Sequence, residues 1–327
     1  MTTFYPGPSN VYPAVADYAA EAVRSGITSL NHRSAGFMNI VQETMRLLRL
    51  KLAIPDAYHI AFTSSATECW EVVAQSLTQQ TSGHFVNGAF AEKWAQATAK
   101  LGLPTWTFTG IEPADWPYLA VAHPDTDTLC LTQNETANGT QVAMNALAGF
   151  RKQFGGLIAV DAVSSMAGIV LDWQRADVWF ASVQKCFGLP AGLAVLVYSP
   201  TALARAEAIG ERGHYNSLLV MHENFQKYQT PYTPNGLGIY CLMRMLETVP
   251  PIAEVAAQTK RRAADWYRFL EQDLAGSVFA PLIAAQNKGG NAGALVSVIR
   301  SDTVIAVSGA SDAIAEVKKS ADRKSVV

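Results

Sequence analysis

Short apolar runs rich in β-branched residues alternate with longer helical segments through residue 210, and this alternation limits the fold more than any other feature of the chain. The runs are His59–Thr63, Thr128–Thr132, Gly156–Asp161, Asp177–Ser182 and Ala194–Tyr198. Between them, Ala66–Leu77, Ala89–Leu101, Met144–Phe154 and Thr201–Ile209 carry apolar residues at helical spacing. The runs lack polar alternation, so both faces of each strand are to be buried, and helical crossovers separate them. A mostly parallel sheet covered by helices, an α/β fold, satisfies both conditions.

The pattern changes after the breaker-rich stretch Thr230–Gly238. Leu237–Glu247 reads as a helix, and Ile252–Leu274 as a longer one with Trp266, Phe269, Leu270 and Leu274 on one apolar stripe. Gln286–Gly293 is a polar, glycine-rich loop; Ala294–Ile299 and Val304–Val307 read as strands, and Asp312 to about Ala321 as a helix. The chain is thus expected to form a large domain over residues 1–236 and a smaller α+β domain over 237–327. A length of 327 residues suffices for two unequal cores.

Bulk composition excludes several classes of function. With 49% hydrophobic and 16% charged residues the chain is not disordered and has apolar surface to spare for a subunit interface. A net charge of −2 gives no electrostatic reason to expect nucleic acid or an anionic membrane as partner. No apolar run reaches the length of a membrane span, and the N-terminal MTTFYPGPSN lacks the basic leader and apolar core of a secretion signal, so the expected location is the cytoplasm. The four cysteines are widely spaced, without a CxxC pair or a histidine at ligand spacing, which predicts reduced thiols and no metal site.

Four segments carry candidate chemistry. Lys185 lies just beyond one apolar strand and before a glycine-rich stretch that leads into another. Ligands of open α/β sheets bind at strand ends, where a lysine against apolar walls loses solvation and becomes a nucleophile toward an aldehyde. Asp161 closes the apolar run that begins at Gly155 and should sit at a neighbouring strand end. An acid beside the ring nitrogen and a lysine on the other side of the ring are what pyridoxal phosphate requires to act as an electron sink. Phe62–Glu68 is a strand-to-helix junction of small residues whose backbone N–H groups can approach a phosphate. Asn134–Gly139 ends in Asn-Gly turn chemistry and offers the Thr136 hydroxyl. Read singly, each has an ordinary alternative: a solvated lysine, a turn-capping aspartate, a plain capping box through Ser64 or Ser65 with Glu68, and a turn.

Their joint order is specific. SLNHRSAGF, TSSATE, QNETANG, DAVSS, SVQKCFGLPAG and QTPYTPN, in that order, closely resemble the class V aminotransferases from Phe4 to about Gly238. Within that family the resemblance is greatest to the members that make phosphoserine. It implies a fold-type I, pyridoxal-phosphate-dependent transferase with Lys185 as Schiff-base lysine and proton shuttle and Asp161 paired with the ring nitrogen. It further implies cofactor contacts from Gln184 and Thr136, and from the backbone of Ala66 and Thr67. Phe90 would cover the ring where relatives commonly carry tryptophan. Thr230 would reach the cofactor phosphate of the neighbouring subunit, which calls for a homodimer. His32 and Arg33 resemble the pair that receives a substrate's own phosphate. The implied substrates are an amino donor such as glutamate and a keto-acid acceptor, 3-phosphohydroxypyruvate.

Other class V transaminases, of the alanine- or serine-glyoxylate type, remain alternatives, as does a cofactor-binding protein with little turnover. The last of these rests on the family's arginine for the substrate carboxylate, carried on a further strand that the sequence ending at Val327 does not reach. That role is not transferred to Arg300, on an earlier strand. No cysteine sits in a distal mobile loop suited to a desulfurase.

Overall fold

The crossover pattern read from the sequence becomes a seven-stranded sheet with helices on both faces. The computed structural model describes residues 7–109, 122–275, 277–282 and 298–316. In chain order, α1 (Ala14–Arg24) and α2 (Ala35–Leu52) precede β1 (His59–Thr63) and α3 (Ala66–Leu77). Then come β2 (Thr81–Phe85), α4 (Ala89–Lys100), β3 (Thr105–Phe108) and β4 (Thr126–Thr132). A small hairpin, β5 (Asn134–Glu135) and β6 (Thr140–Val142), leads to α5 (Met144–Gln153) and β7 (Leu157–Asp161). After these lie β8 (Val178–Ser182), β9 (Ala194–Tyr198), α6 (Pro200–Ile209), α7 (Leu218–Phe225), α8 (Gly236–Thr248) and α9 (Ile252–Arg268). The described C-terminal strands are β10 (Ala280–Pro281), β11 (Val298–Arg300) and β12 (Val307–Ser308).

The strand order is β1-β9-β8-β7-β4-β2-β3. β9 runs antiparallel to both neighbours and every other pair is parallel. The six remaining strands therefore end along one edge of the sheet, where open α/β sheets bind ligands. The central strands β7, β8 and β9 are buried over their whole length, as their unbroken apolar sequences require. Trp94, Trp179, Phe85, Phe150 and Phe180 are fully buried around them.

Helix caps fix where the chain turns onto that edge. Ser65 accepts from the Glu68 N–H at 3.2 Å and caps α3, while the Glu68 carboxylate accepts from the Ser64 N–H at 2.8 Å, one residue before the cap. Ser34 caps α2, which packs against α8. Ile239, Leu242, Met245 and Leu246 of α8 join the main core, so the chain beyond Gly236 returns to the large sheet's body before it leaves.

Several expectations need correction. β2 and β3, α1, α2 and α7 have no counterpart among the segments expected from sequence. Thr81-Ser-Gly-His-Phe85 is too polar to read as a buried run, whereas α2 does carry helical spacing, with Phe37, Val41, Leu48 and Leu52 buried. No strand covers Val304–Ala306. Ser301 Oγ instead accepts from the N–H groups of Thr303 and Val304 and bends the chain there, and only Val307 joins a strand. The last turn of the long helix widens to a π-helix over Phe269–Asp273. Of its expected stripe, Leu270 is buried, but Trp266 and Phe269 are exposed and pack edge to face on each other. The loop at 286–293 and the start of the strand expected from Ala294 lie outside the described residues, as does the end of the helix that covers 311–316.

Candidate active site

Seven of the residues singled out from sequence line one cleft of about 130 Å³: Ala66, Thr67, Phe90, Thr136, Asp161, Gln184 and Lys185. They follow the C-terminal ends of β1, β2, β4, β7 and β8, so the sheet edge brings together segments more than 100 residues apart.

Lys185 is half-buried, and loss of solvation lowers its amine's pKa against the opposing pull of Asp161. The segment Gly7–Tyr12 holds the lysine's backbone: the Ser9 N–H donates to Gln184 O at 2.8 Å, and Ser9 Oγ donates to Lys185 O at 2.7 Å. Gly7 admits the lysine head because it has no Cβ; one built there would fall 2.1 Å from Lys185 Nζ, at a φ of +152°. Cys186 has its thiol pushed up to about 12 by burial and is a protonated neighbour, not a nucleophile.

Asp161 ends β7 and is buried. Its Oδ1 accepts from the Val163 N–H at 3.0 Å, so it caps the turn as well as facing the cleft. Its Oδ2 accepts from Trp70 Nε1 at 3.1 Å. Burial pushes this carboxyl up to about 6, against the two hydrogen bonds and Lys185. A buried carboxylate in this state calls for a cationic partner.

The N-terminal turn of α3 forms the opposite wall. The Ala66 N–H donates to Ser182 Oγ at 3.0 Å, so it reaches the cleft only through that hydroxyl. The Thr67 N–H, in the helix's first turn, has no partner inside the helix. Thr136 and Ser164 are joined hydroxyl to hydroxyl. Two buried polar atoms of residues that line the cleft, Gln184 Oε1 and Thr132 Oγ1, have no partner among the described residues. Trp70, Thr132, Ser164 and Ser182 were not singled out by sequence. Trp70 falls one helical turn after Ala66, and Ser182 ends the strand that leads to Lys185, which are signals available to a closer reading.

His32, Arg33 and Thr230 do not line this cleft. Thr230 is buried and lines a second pocket of about 200 Å³ with Ser64, Glu68, Tyr215 and Tyr232. Its Oγ1 donates to Tyr232 O at 2.6 Å. Exposed Arg33 donates to Gln229 Oε1 at 2.9 Å, beside Thr230. Arg300 pairs with Glu271 and lies 4.6 Å from the Tyr267 ring centroid; it does not line the cleft.

A lysine and an aspartate meeting at the C-terminal edge of such a sheet define a class, and the family model agrees. Residues 4–291 match aminotransferase class V, and the chain belongs to that family. It is 29% identical over 285 residues to a phosphoserine aminotransferase of Rhodococcus opacus, covering 85% of this chain and 74% of the relative. A phosphoserine aminotransferase of Nocardioides is 29% identical over 250 residues, covering 75% and 66%. The crystal structure of a phosphoserine aminotransferase from Cytophaga hutchinsonii superposes with a TM-score of 0.85 at 30% identity, over 97% of this chain and 87% of that one.

The chain is accordingly a pyridoxal-phosphate-dependent transaminase. Its cleft fits that cofactor on its own terms: a buried acid and a half-buried lysine share it, and two buried polar atoms of its lining residues have no partner among the described residues.

Proposed function

We propose that this transaminase moves an amino group from a donor such as glutamate to 3-phosphohydroxypyruvate, giving phosphoserine. One observation carries the reading: Lys185 and Asp161 share a cleft in a chain 30% identical, along 97% of its length, to a phosphoserine aminotransferase.

Pyridoxal phosphate, when bound, supplies an aldehyde that condenses with amines and an electron sink for the pair left at the substrate's Cα. Lys185 Nζ would hold the cofactor at its aldehyde carbon and, when freed by the substrate amine, would carry the proton between the substrate's Cα and that carbon within each half-reaction. Asp161 holds a proton at the ring nitrogen, and Trp70 and Val163 hold Asp161. The Thr67 N–H, Ser182 Oγ and the Ala66 turn receive the cofactor phosphate at a helix N-terminus. Gln184 and Thr136 contact the ring's oxygen side, and Phe90 covers its face and excludes water. His32 and Arg33 receive the acceptor's phosphate. Thr230 serves the cofactor of a second copy, so the working unit is a homodimer. The four free cysteines favour the cytoplasm, and no helix among the described residues is long and apolar enough to cross a membrane.

The test is a set of acceptor assays with glutamate as donor, following 2-oxoglutarate. The proposal expects kcat/KM for 3-phosphohydroxypyruvate to exceed that for pyruvate and glyoxylate by at least about a hundredfold, the worth of a desolvated phosphate clamp. Equal or reversed preference removes the phosphoserine assignment and favours the alanine- or serine-glyoxylate type.

A further inference from the structure

Glu135 is a carboxylate with no exposed surface. No cation is needed to explain it, because three backbone N–H groups converge on its two oxygens. Oε2 accepts from Phe90 N at 2.9 Å and from Ala91 N at 3.1 Å, both in the first turn of α4. Oε1 accepts from Ala137 N at 2.9 Å, in the turn that also carries Thr136. The positive end of the α4 dipole lies against the same group. The fit is close: a Cβ at Gly88 would fall 2.2 Å from Glu135 Cγ. A second tie runs parallel, with Asn138 Nδ2 donating to Asn87 O at 2.7 Å.

Two walls of the cleft therefore share one buried carboxylate. Phe90 comes from the start of α4 and Thr136 from the β5–β6 turn, and neither segment is held to the other by sheet hydrogen bonds. We propose that Glu135 is a positioning residue for the cofactor: it locks the α4 turn that carries Phe90 to the turn that carries Thr136, and so fixes the ring-covering face against the hydroxyl. This rests on the reading that Phe90 covers the cofactor ring. Glu135 also presents a negative charge to Asp161 that favours a proton near that carboxylate, which supports a tie to the same ring.

A double-mutant cycle on the full chain tests it, with pyridoxal 5′-phosphate as probe. The readouts are the cofactor's dissociation constant and the near-ultraviolet circular dichroism of the bound cofactor, which reports ring orientation. Glu135→Gln places an amide N–H against a backbone donor and is expected to weaken binding about tenfold and reduce the dichroic band. Phe90→Ala should weaken binding by a similar factor, and in that background E135Q should add less than about threefold. If E135Q multiplies the constant equally in both backgrounds, or leaves the dichroic band unchanged, Glu135 does not act through Phe90 and the inference fails. If F90A leaves the constant unchanged, the placement of Phe90 on the ring fails, and this inference with it. Should E135Q not fold, E135D keeps the charge, cannot span both turns, and is read in the same cycle.

Discussion

The cleft that holds Lys185 and the pocket that holds Thr230 lie on either side of one turn, Thr63–Glu68, yet they are built differently. The cleft is assembled from the ends of five strands whose registers are fixed by a buried sheet, and its acid, its lysine and the Ser182 hydroxyl have backbone partners. The second pocket is walled mostly by loop residues, with Tyr215 and Tyr232 more than half exposed, and the guanidinium of Arg33, outside its lining, donates to Gln229. The pocket's own carboxylate, Glu68, is turned to Ser64, one residue before the α3 cap. The contrast teaches that the acid and the lysine of the cleft are fixed by the sheet edge, whereas Arg33, proposed for phosphate recognition, stands exposed on a loop outside it.

The largest effect should come from the cleft. Replacing Asp161 by Asn removes the charge at the ring nitrogen and should lower kcat about a hundredfold or more. It should also change the protein without cofactor. The folded-state pKa of Asp161 is about 6 against 3.8, raised by burial, so its contribution favours folding below pH 3.8 and is lost as pH rises through 6. The loss levels off near 3 kcal/mol. In cofactor-free protein the asparagine variant should therefore gain stability relative to wild type between pH 4 and 7, as read by thermal unfolding. A gap that does not change with pH would mean that Asp161 is already compensated within the protein, and the contrast between the two sites would weaken.

A smaller effect should separate the sites. Arg33→Ala removes a bidentate phosphate partner and should cost about 10- to 100-fold in kcat/KM for a phosphorylated acceptor, with little change for pyruvate or in cofactor binding. Equal losses for both acceptors would make Arg33 a structural partner of Gln229 and nothing more.

The smallest sharpens the cleft itself. Trp70→Phe deletes the donor to Asp161 Oδ2 and keeps the stack on Trp94. It should lower kcat roughly three- to tenfold, the worth of one hydrogen bond to a buried carboxylate, and shift the acid limb of the pH–rate profile upward. An unchanged profile would show that Val163 alone holds the acid.

How much of this was legible in the sequence follows the same division. β1, β9 and α3 were readable to the residue, because short apolar strands and a helix that starts at the Ser65 cap have one burial solution. Lys185 and Asp161 were found because each lies at or just beyond the end of an apolar strand. Trp70 and Ser182 carried only the weaker signals of lying one helical turn after Ala66 and at the strand end before Lys185, and the partner each meets across the sheet edge depends on strand order, which periodicity does not encode. Glu135 stood in view within Asn134-Glu-Thr136, but its partners are backbone N–H groups 44 and 45 residues away, and no side-chain pattern announces them. β2 was hidden by Ser82, Gly83 and His84, polar or small residues buried by their neighbours. The π-turn at Phe269–Asp273 was hidden because a helical stripe continues through it on paper.

The central claim is that Lys185 carries the cofactor. Pyridoxal 5′-phosphate bound to the purified protein and fixed with borohydride should leave one pyridoxyl group per chain, on the peptide that contains Lys185, with none on a Lys185→Ala variant treated alike. Label on another lysine, or equal label on the variant, would contradict the account.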